Sequence, residues 1–303
     1  MLTKQVYTIG NCLDVMLQMP SDSVDLIMTS PPYGDARKRT YGGIHPDNYI
    51  EWFKPIARQI YRIMKPSGSF ILNIGDNTID GETHLYTYEI PIVLKRELGF
   101  KFIDPFVWHK KNCPPGKYKN RFKGAWEFCY HFSKTLDITY NPCAVAEPMK
   151  QCSIDRALRH HEGNLEIFST GSGFTTAHAK IKETIRRNRK NGSGFGTNDE
   201  RLNSLEMALP SNVLFLPTET TNVAHSAPFP IELPTFFIKA FSNEGDMVLD
   251  PFAGSGTILR ACRLLNRNCM GIDLNSEYES IANERSMANT PHLETWCSGQ
   301  DVA

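Results

Sequence analysis

Two short segments hold residue types whose order could do chemistry. The first is Thr29-Ser30-Pro31-Pro32-Tyr33-Gly34, which follows the apolar run from Val24 to Met28. Consecutive prolines fix φ and remove two N–H donors. The residue before each proline is pushed out of the helical region. The segment is therefore a stiff, extended turn that offers free carbonyl oxygens and, at Ser30, a hydroxyl acceptor. Such a turn suits the capture of an amino group at a set angle, and Tyr33 adds a flat face for a base to stack on. Proline and glycine also punctuate ordinary turns, so a rigid strand exit with a core tyrosine is the plain alternative.

The second segment is Asp250-Pro251-Phe252-Ala253-Gly254-Ser255-Gly256-Thr257, and a further apolar run after it ends in Asp273. In open α/β sheets ligands bind beyond the carboxyl ends of strands. Glycine there lets backbone approach a ligand, and the start of the next helix attracts anionic groups. An acid closing the neighbouring strand can accept hydrogen bonds from a ribose diol. The spacing is neither that of a phosphate loop with Gly-Lys-Ser/Thr nor G-x-G-x-x-G. A glycine turn that only joins strand to helix is the plain alternative here.

The elements around these segments alternate. In residues 1–140, strands are expected at Val24–Thr29, Ser69–Ile74, Phe106–His109 and Glu127–Phe132. Helices are expected at Asp47–Met64, capped by Asp47 or Asn48, and at Glu89–Leu98, closed by Gly99. Pro55 should kink or split the first of these helices. Residues 211–290 return to the same rhythm, with helices at Pro230–Phe241 and Thr257–Leu265. Strands there fall at Met247–Asp250 and Cys269–Asp273, and Asn275 or Ser276 caps a last helix. The alternation implies an α/β fold with a largely parallel sheet covered by helices on both faces. Between them, 141–210 is rich in Gly, Asn, Ser and charge and reads as a small irregular insertion, while 291–303 reads as a frayed tail.

Composition narrows the class. The chain has 303 residues, 41% hydrophobic and 22% charged, enough for one large α/β domain with an insertion or for two modest domains. Lys+Arg and Asp+Glu are 33 each, so bulk charge does not bind it to nucleic acid or membrane, although a local basic face is allowed. There is no run of 18 apolar residues and no basic-apolar leader, which predicts a soluble, cytoplasmic protein with no membrane partner. The eight cysteines form no C-x-x-C pair, so neither a metal site nor a disulfide framework is expected.

Taken together, the two segments resemble those of the beta class of S-adenosylmethionine-dependent DNA amino-methyltransferases, in which the [Ser/Asp/Asn]-Pro-Pro-[Tyr/Phe] segment comes first and the glycine loop last. Ile9-Gly10-Asn11-Cys12-Leu13-Asp14 is similar to the family's early Gly-Asp-Cys-Leu segment, with Asn11 where Asp is common. Trp108-His109-Lys110-Lys111, Arg121 and Trp126-Glu127 resemble the segment near the target base, Trp-Glu standing for the usual His-Glu, and His225-Ser-Ala-Pro-Phe229-Pro the segment that closes over the cofactor. The resemblance covers about three quarters of the chain and implies a Rossmann-like methyltransferase fold with a mostly parallel mixed sheet. Residues 1–140 and 211–290 would form one catalytic domain, and 141–210 a target-recognition region.

The resemblance also implies roles. Ser30, Pro31 and Pro32 would hold the target amino nitrogen, and Tyr33 would stack on a flipped base. Asn11, Cys12, Asp250, Phe252, Gly254, Gly256, Thr257, Asp273, His225 and Phe229 would line the S-adenosyl-L-methionine site. The serine version of the segment points to cytosine N4, with adenine N6 as the nearest rival. Methylation of an RNA or protein amide nitrogen and a catalytically silent nucleic-acid-binding module are more distant ones. Methylation at cytosine C5 needs a cysteine nucleophile after proline, and Pro142-Cys143 lacks that context. Lys110, Lys111 and Arg121, with Lys182, Arg186, Arg187, Arg189 and Lys190, are candidate phosphate contacts on double-stranded DNA. A cognate restriction endonuclease is a possible partner, and the protein would be a monomer or homodimer.

Overall fold

The computed structural model describes residues 3–35, 43–113, 119–148, 207–219 and 229–287. It divides into two units, residues 1–141 with 211–303, and residues 142–210. In the second unit a 3-10 turn at Pro142–Val145 precedes a two-residue antiparallel ladder pairing Glu147–Pro148 with Met207–Ala208.

The first unit is built on one sheet. Its strands are β1 (Gln5–Ile9), β2 (Val24–Thr29), β3 (Met64–Ile74) and β4 (Lys101–Lys110). They continue with β5 (Trp126–Ser133), β6 (Val213–Leu216), β7 (Met247–Asp250) and β8 (Asn268–Asp273). Eight strands lie in the order β1-β8-β7-β2-β3-β5-β4-β6. All neighbours are parallel except those of β5, which runs against both β3 and β4. This is the Rossmann-like, mostly parallel mixed sheet expected of a methyltransferase fold.

The helices are α1 (Cys12–Gln18), α2 (Pro46–Ile63), α3 (Tyr86–Glu97), α4 (Glu232–Phe241), α5 (Thr257–Leu264) and α6 (Glu277–Met287). α1 packs on α2 and α2 on α3 to form one layer, while α4, α5 and α6 pack in turn to form the other. Buried from both sides, the central strands read as continuous apolar runs, as in Leu26-Ile27-Met28 of β2, fully buried at 0% exposure.

Three expectations change. α2 runs unbroken through Pro55. Pro46 at its first turn presets φ, and its buried stripe of Tyr49, Phe53, Ile56, Ala57, Ile60 and Ile63 holds both halves against the core despite the lost hydrogen bond. β3 starts at Met64, directly after the helix, rather than at Ser69. The register with β2 slips between Val24 and Leu26, so Lys65 to Gly68 are taken up as a bulge. β1, α1 and β6 were not anticipated; β6 is a four-residue edge strand held by β4 alone.

Candidate active site

The two chemistry-bearing segments begin side by side. β2 and β7 are parallel neighbours, with Leu26 opposite Val248 and Ile27 opposite Leu249. Their last residues are tied together, since Thr29 Oγ1 donates to Asp250 Oδ1 at 2.7 Å inside the core. Asp250 Oδ1 also accepts from the Phe252 N–H at 3.1 Å. Burial pushes the Asp250 carboxyl up to about 7, the nearby Asp273 charge adding to the rise and the two hydrogen bonds opposing it.

The glycine loop is strapped to the next strand. Asp273 Oδ2 accepts from the Gly254 N–H at 2.8 Å, and its Oδ1 from the Asn275 N–H at 2.9 Å. Ala253 N–H donates to the Ile272 carbonyl at 2.9 Å. Tyr7, on β1, reaches across to donate to the Gly254 carbonyl at 2.7 Å. Arg285 of α6 donates to Ser255 Oγ at 2.6 Å. The two glycines then differ in use. Gly254 has φ +49 and a Cβ there would meet nothing within 4 Å, so its open side is a cradle. Gly256 has φ +78, and a Cβ would lie 2.7 Å from Ala282 Cβ and 3.0 Å from its Cα, so it seats α5 against α6. Thr257 opens α5 and is buried, and Phe252 packs on Trp52 of α2 with ring centroids 5.9 Å apart.

The Ser-Pro-Pro-Tyr turn is pinned from three sides. Tyr49 of α2 donates its hydroxyl to the Pro32 carbonyl at 2.9 Å. Among the described residues nothing bonds the Pro31 carbonyl, whereas the Pro32 carbonyl accepts from Tyr49. Asn77 Nδ2 donates to the Gly34 carbonyl at 2.6 Å, and the Gly34 N–H donates to Tyr86 Oη at 3.3 Å. Ser30 Oγ donates to Tyr33 Oη at 3.1 Å. Tyr33 Oη in turn donates to Glu127 Oε2 at 2.7 Å and lies 3.2 Å from Asn73 Oδ1. Burial and the adjacent Glu127 charge hold the Tyr33 phenol well above its ordinary range, so it stays protonated.

Other expected residues fall at this end of the sheet or outside what is described. Asn11 caps α1, its Oδ1 accepting from the Leu13 N–H at 2.9 Å. Cys12, the first residue of that helix, is buried and its thiol is pushed up to about 12. Phe229 is half-buried just before α4. His225, Lys182, Arg186, Arg187, Arg189 and Lys190 lie outside the described residues. Lys111 is exposed and Arg121 half-buried after the carboxyl end of β4. Lys110, expected to face phosphate, is instead committed inward, its Nζ 2.5 Å from Glu127 Oε1. Sequence reasoning missed Tyr7, Tyr49 and Asn73, each of which acts from a separate element with no local pattern to mark it.

Comparison with known proteins agrees with this architecture. A family model described as DNA methylase matches residues 24–284. The chain is 28% identical over 295 residues to the type II methyltransferase M.PvuII of Proteus hauseri, a match covering 93% of this chain and 83% of that protein. Its fold resembles the solved PvuII DNA methyltransferase (cytosine-N4-specific) at a TM-score of 0.67 and 22% identity, covering 98% of this chain and 90% of that one. It also resembles a Thermus thermophilus protein solved in complex with S-adenosyl-L-methionine, at a TM-score of 0.58 and 22% identity, over 93% of each chain. With the family model spanning most of its length on this fold, the chain belongs to the DNA methylase family.

Proposed function

We propose that this protein methylates the exocyclic N4 nitrogen of a cytosine turned out of duplex DNA. The observation that carries the reading is a pair of acceptors, the Ser30 hydroxyl and the Pro31 carbonyl, at the end of β2, beside a glycine loop joined to it through Thr29 and Asp250. S-Adenosyl-L-methionine supplies, when bound, a methyl group activated by a sulfonium charge. The residues present fit it. The open side of Gly254 has room for its methionine part, which Asp250 helps orient. Asp273, which straps the loop through the Gly254 N–H, is the acid assigned to the ribose hydroxyls, and Asn11, Cys12 and Phe252 stand at the adjoining strand ends.

Cytosine's amino nitrogen is a poor nucleophile because its lone pair is conjugated with the ring. Ser30 Oγ and the Pro31 carbonyl oxygen accept its two N–H groups, which draws the nitrogen toward tetrahedral geometry and localises the lone pair for in-line attack. Tyr49 already donates to the Pro32 carbonyl, which supports the Pro31 oxygen for this role. Positioning and fixed dipoles supply the rate enhancement. The base must leave the stack to reach this turn, and the Tyr33 ring offers it a stacking face. Lys111 and Arg121 meet phosphate beside the site, with 141–210 as the target-recognition region. The enzyme works in the cytoplasm on the nucleoid, as a monomer or homodimer, and its modification protects sites against a cognate endonuclease.

The test is expression in a host free of DNA methylation, followed by nucleoside mass spectrometry and sequencing for modified bases. N4-methylcytosine at a fixed sequence is the expected result. N6-methyladenine would transfer the same machinery to adenine. No modified base and no cofactor binding by calorimetry would leave a silent nucleic-acid-binding module.

A further inference from the structure

The hydrogen bond that Ser30 makes is the first link of a chain that ends on a buried charge. Glu127 stands at the start of β5, the one reversed strand, so it enters the sheet at the end where β2, β3 and β4 finish. It is only 8% exposed. Its Oε1 pairs with Lys110 Nζ at 2.5 Å, and its Oε2 accepts from Asn73 Nδ2 at 3.1 Å and from Tyr33 Oη at 2.7 Å. Gly75 makes room for this cluster, since a Cβ there would lie 2.8 Å from Tyr33 Cε2 and 3.2 Å from Glu127 Oε1.

The direction of the chain follows from valence. A carboxylate only accepts, so Tyr33 must donate to Glu127. Tyr33 then has no proton left for Ser30, and at 3.1 Å the serine must donate to it. With its proton turned inward, the Ser30 oxygen faces the turn with lone pairs alone. That is the state needed to receive an N–H group and the wrong state to receive a carbonyl.

Resting on the methyl transfer proposed above, we infer that Glu127, acting through Tyr33, holds the Ser30 hydroxyl as an acceptor and takes up the proton that the target amino group releases. As the nitrogen takes the methyl group, the electron pair of the broken C–S bond stays on sulfur and the nitrogen becomes cationic. One N–H proton passes to Ser30 Oγ, the serine proton to Tyr33 Oη, and the tyrosine proton to Glu127 Oε2. Each hydroxyl gains one proton and loses one, the methylated amine is neutral, and the carboxylate ends as the acid. A protonated amine conjugated with a pyrimidine ring is a strong acid, so even an ion-paired carboxylate is base enough. Among the described residues, Lys110, Tyr33, Tyr86 and Cys129 are titratable groups that face Glu127. Burial and the Glu127 charge hold the phenols and the thiol above their ordinary ranges, so these groups stay protonated at neutral pH. Glu127, Lys110 and Asn73 are thus positioning residues that act through Ser30, as the Tyr33 hydroxyl does while its ring meets the base.

The test measures single-turnover rates against pH, with unmethylated bacterial genomic DNA as acceptor and S-adenosyl-L-methionine as donor, for the native chain, E127Q and Y33F. Each variant should slow transfer by about a hundredfold. Cofactor affinity by calorimetry and DNA affinity by gel shift should stay within about twofold. The acid limb of the native profile should vanish in both. A folded variant with the native rate overturns the inference, and so does a slowed variant that keeps the native acid limb. If E127Q fails to fold because Lys110 is left unpaired, K110M/E127Q removes both charges and Y33F leaves the ion pair intact, and the same outcomes decide. A native chain that methylates no amino group would defeat the parent reading instead, which is a different result from an active native chain matched by its variants.

Discussion

Tyr49 is a core residue by every local sign, fully buried in the apolar stripe of α2, and yet its hydroxyl donates to the Pro32 carbonyl of the turn. Single side chains of this kind separate the acceptor grip from an ordinary proline turn. Ser30→Ala should therefore keep cofactor binding, measured by calorimetry, and lose turnover by about a hundredfold, since it removes an acceptor needed as the nitrogen reacts. Retained turnover would take Ser30 out of the mechanism. Asp250 gives a second prediction at this scale. Burial raises its carboxyl from 3.8 to about 7, so the folded chain holds a proton that the unfolded chain has already released. The stability tied to that proton is complete below the unfolded value and is lost as pH rises through the folded one. Asp250→Asn keeps an oxygen for Thr29 and Phe252 and carries no charge. Thermal melts of the cofactor-free protein should show its advantage over the native chain growing from about pH 5 to pH 8, by at most a few kcal/mol. A difference that stays flat with pH would mean Asp250 titrates normally.

At the scale of elements, the glycine loop contains one glycine that faces open space and one that seats a helix. Gly254→Ala adds a methyl group to open space at φ +49. It should weaken S-adenosyl-L-methionine binding by about tenfold or more while costing roughly 1–2 kcal/mol of stability. Gly256→Ala drives a methyl into the Ala282 backbone, so its loss should appear first in the melting temperature, by roughly 2–4 kcal/mol. Calorimetry and melts on both variants separate the two, and equal effects would erase the distinction. These pieces differ in how legible they were. The strand ends at Thr29 and Asp250 could be read because each closes an apolar run just before proline, and that at Asp273 because Asn275 and Ser276 follow it. α2 could be read from its stripe, but not its continuity through Pro55, which comes from tertiary packing. β1 and β6 could not, since both are short and gain their order from β8 and β4. Lys110 looked like part of a basic run because nothing local tells that a carboxylate waits on the antiparallel neighbour, where Trp108 pairs with Glu127.

For the molecule as a whole, zero net charge means that DNA must be held by local charge. Among its described residues, the segment joining β4 to β5 carries Lys111, Lys119, Arg121 and Lys123 with Phe122, 95% exposed. If four phosphates meet it, affinity should fall roughly a hundredfold between about 50 and 200 mM salt. A gel-shift series that stays level across that range would remove this segment from the interface. The sheet order has one more consequence, for how the chain is made. β7 and β8 leave the ribosome after the other six strands of the sheet but must enter between β1 and β2, which precede them all. Until then β2 presents a bare edge and β1 has no neighbour, so the nascent chain depends on late, long-range pairing that is slow to find and open to wrong partners in the meantime.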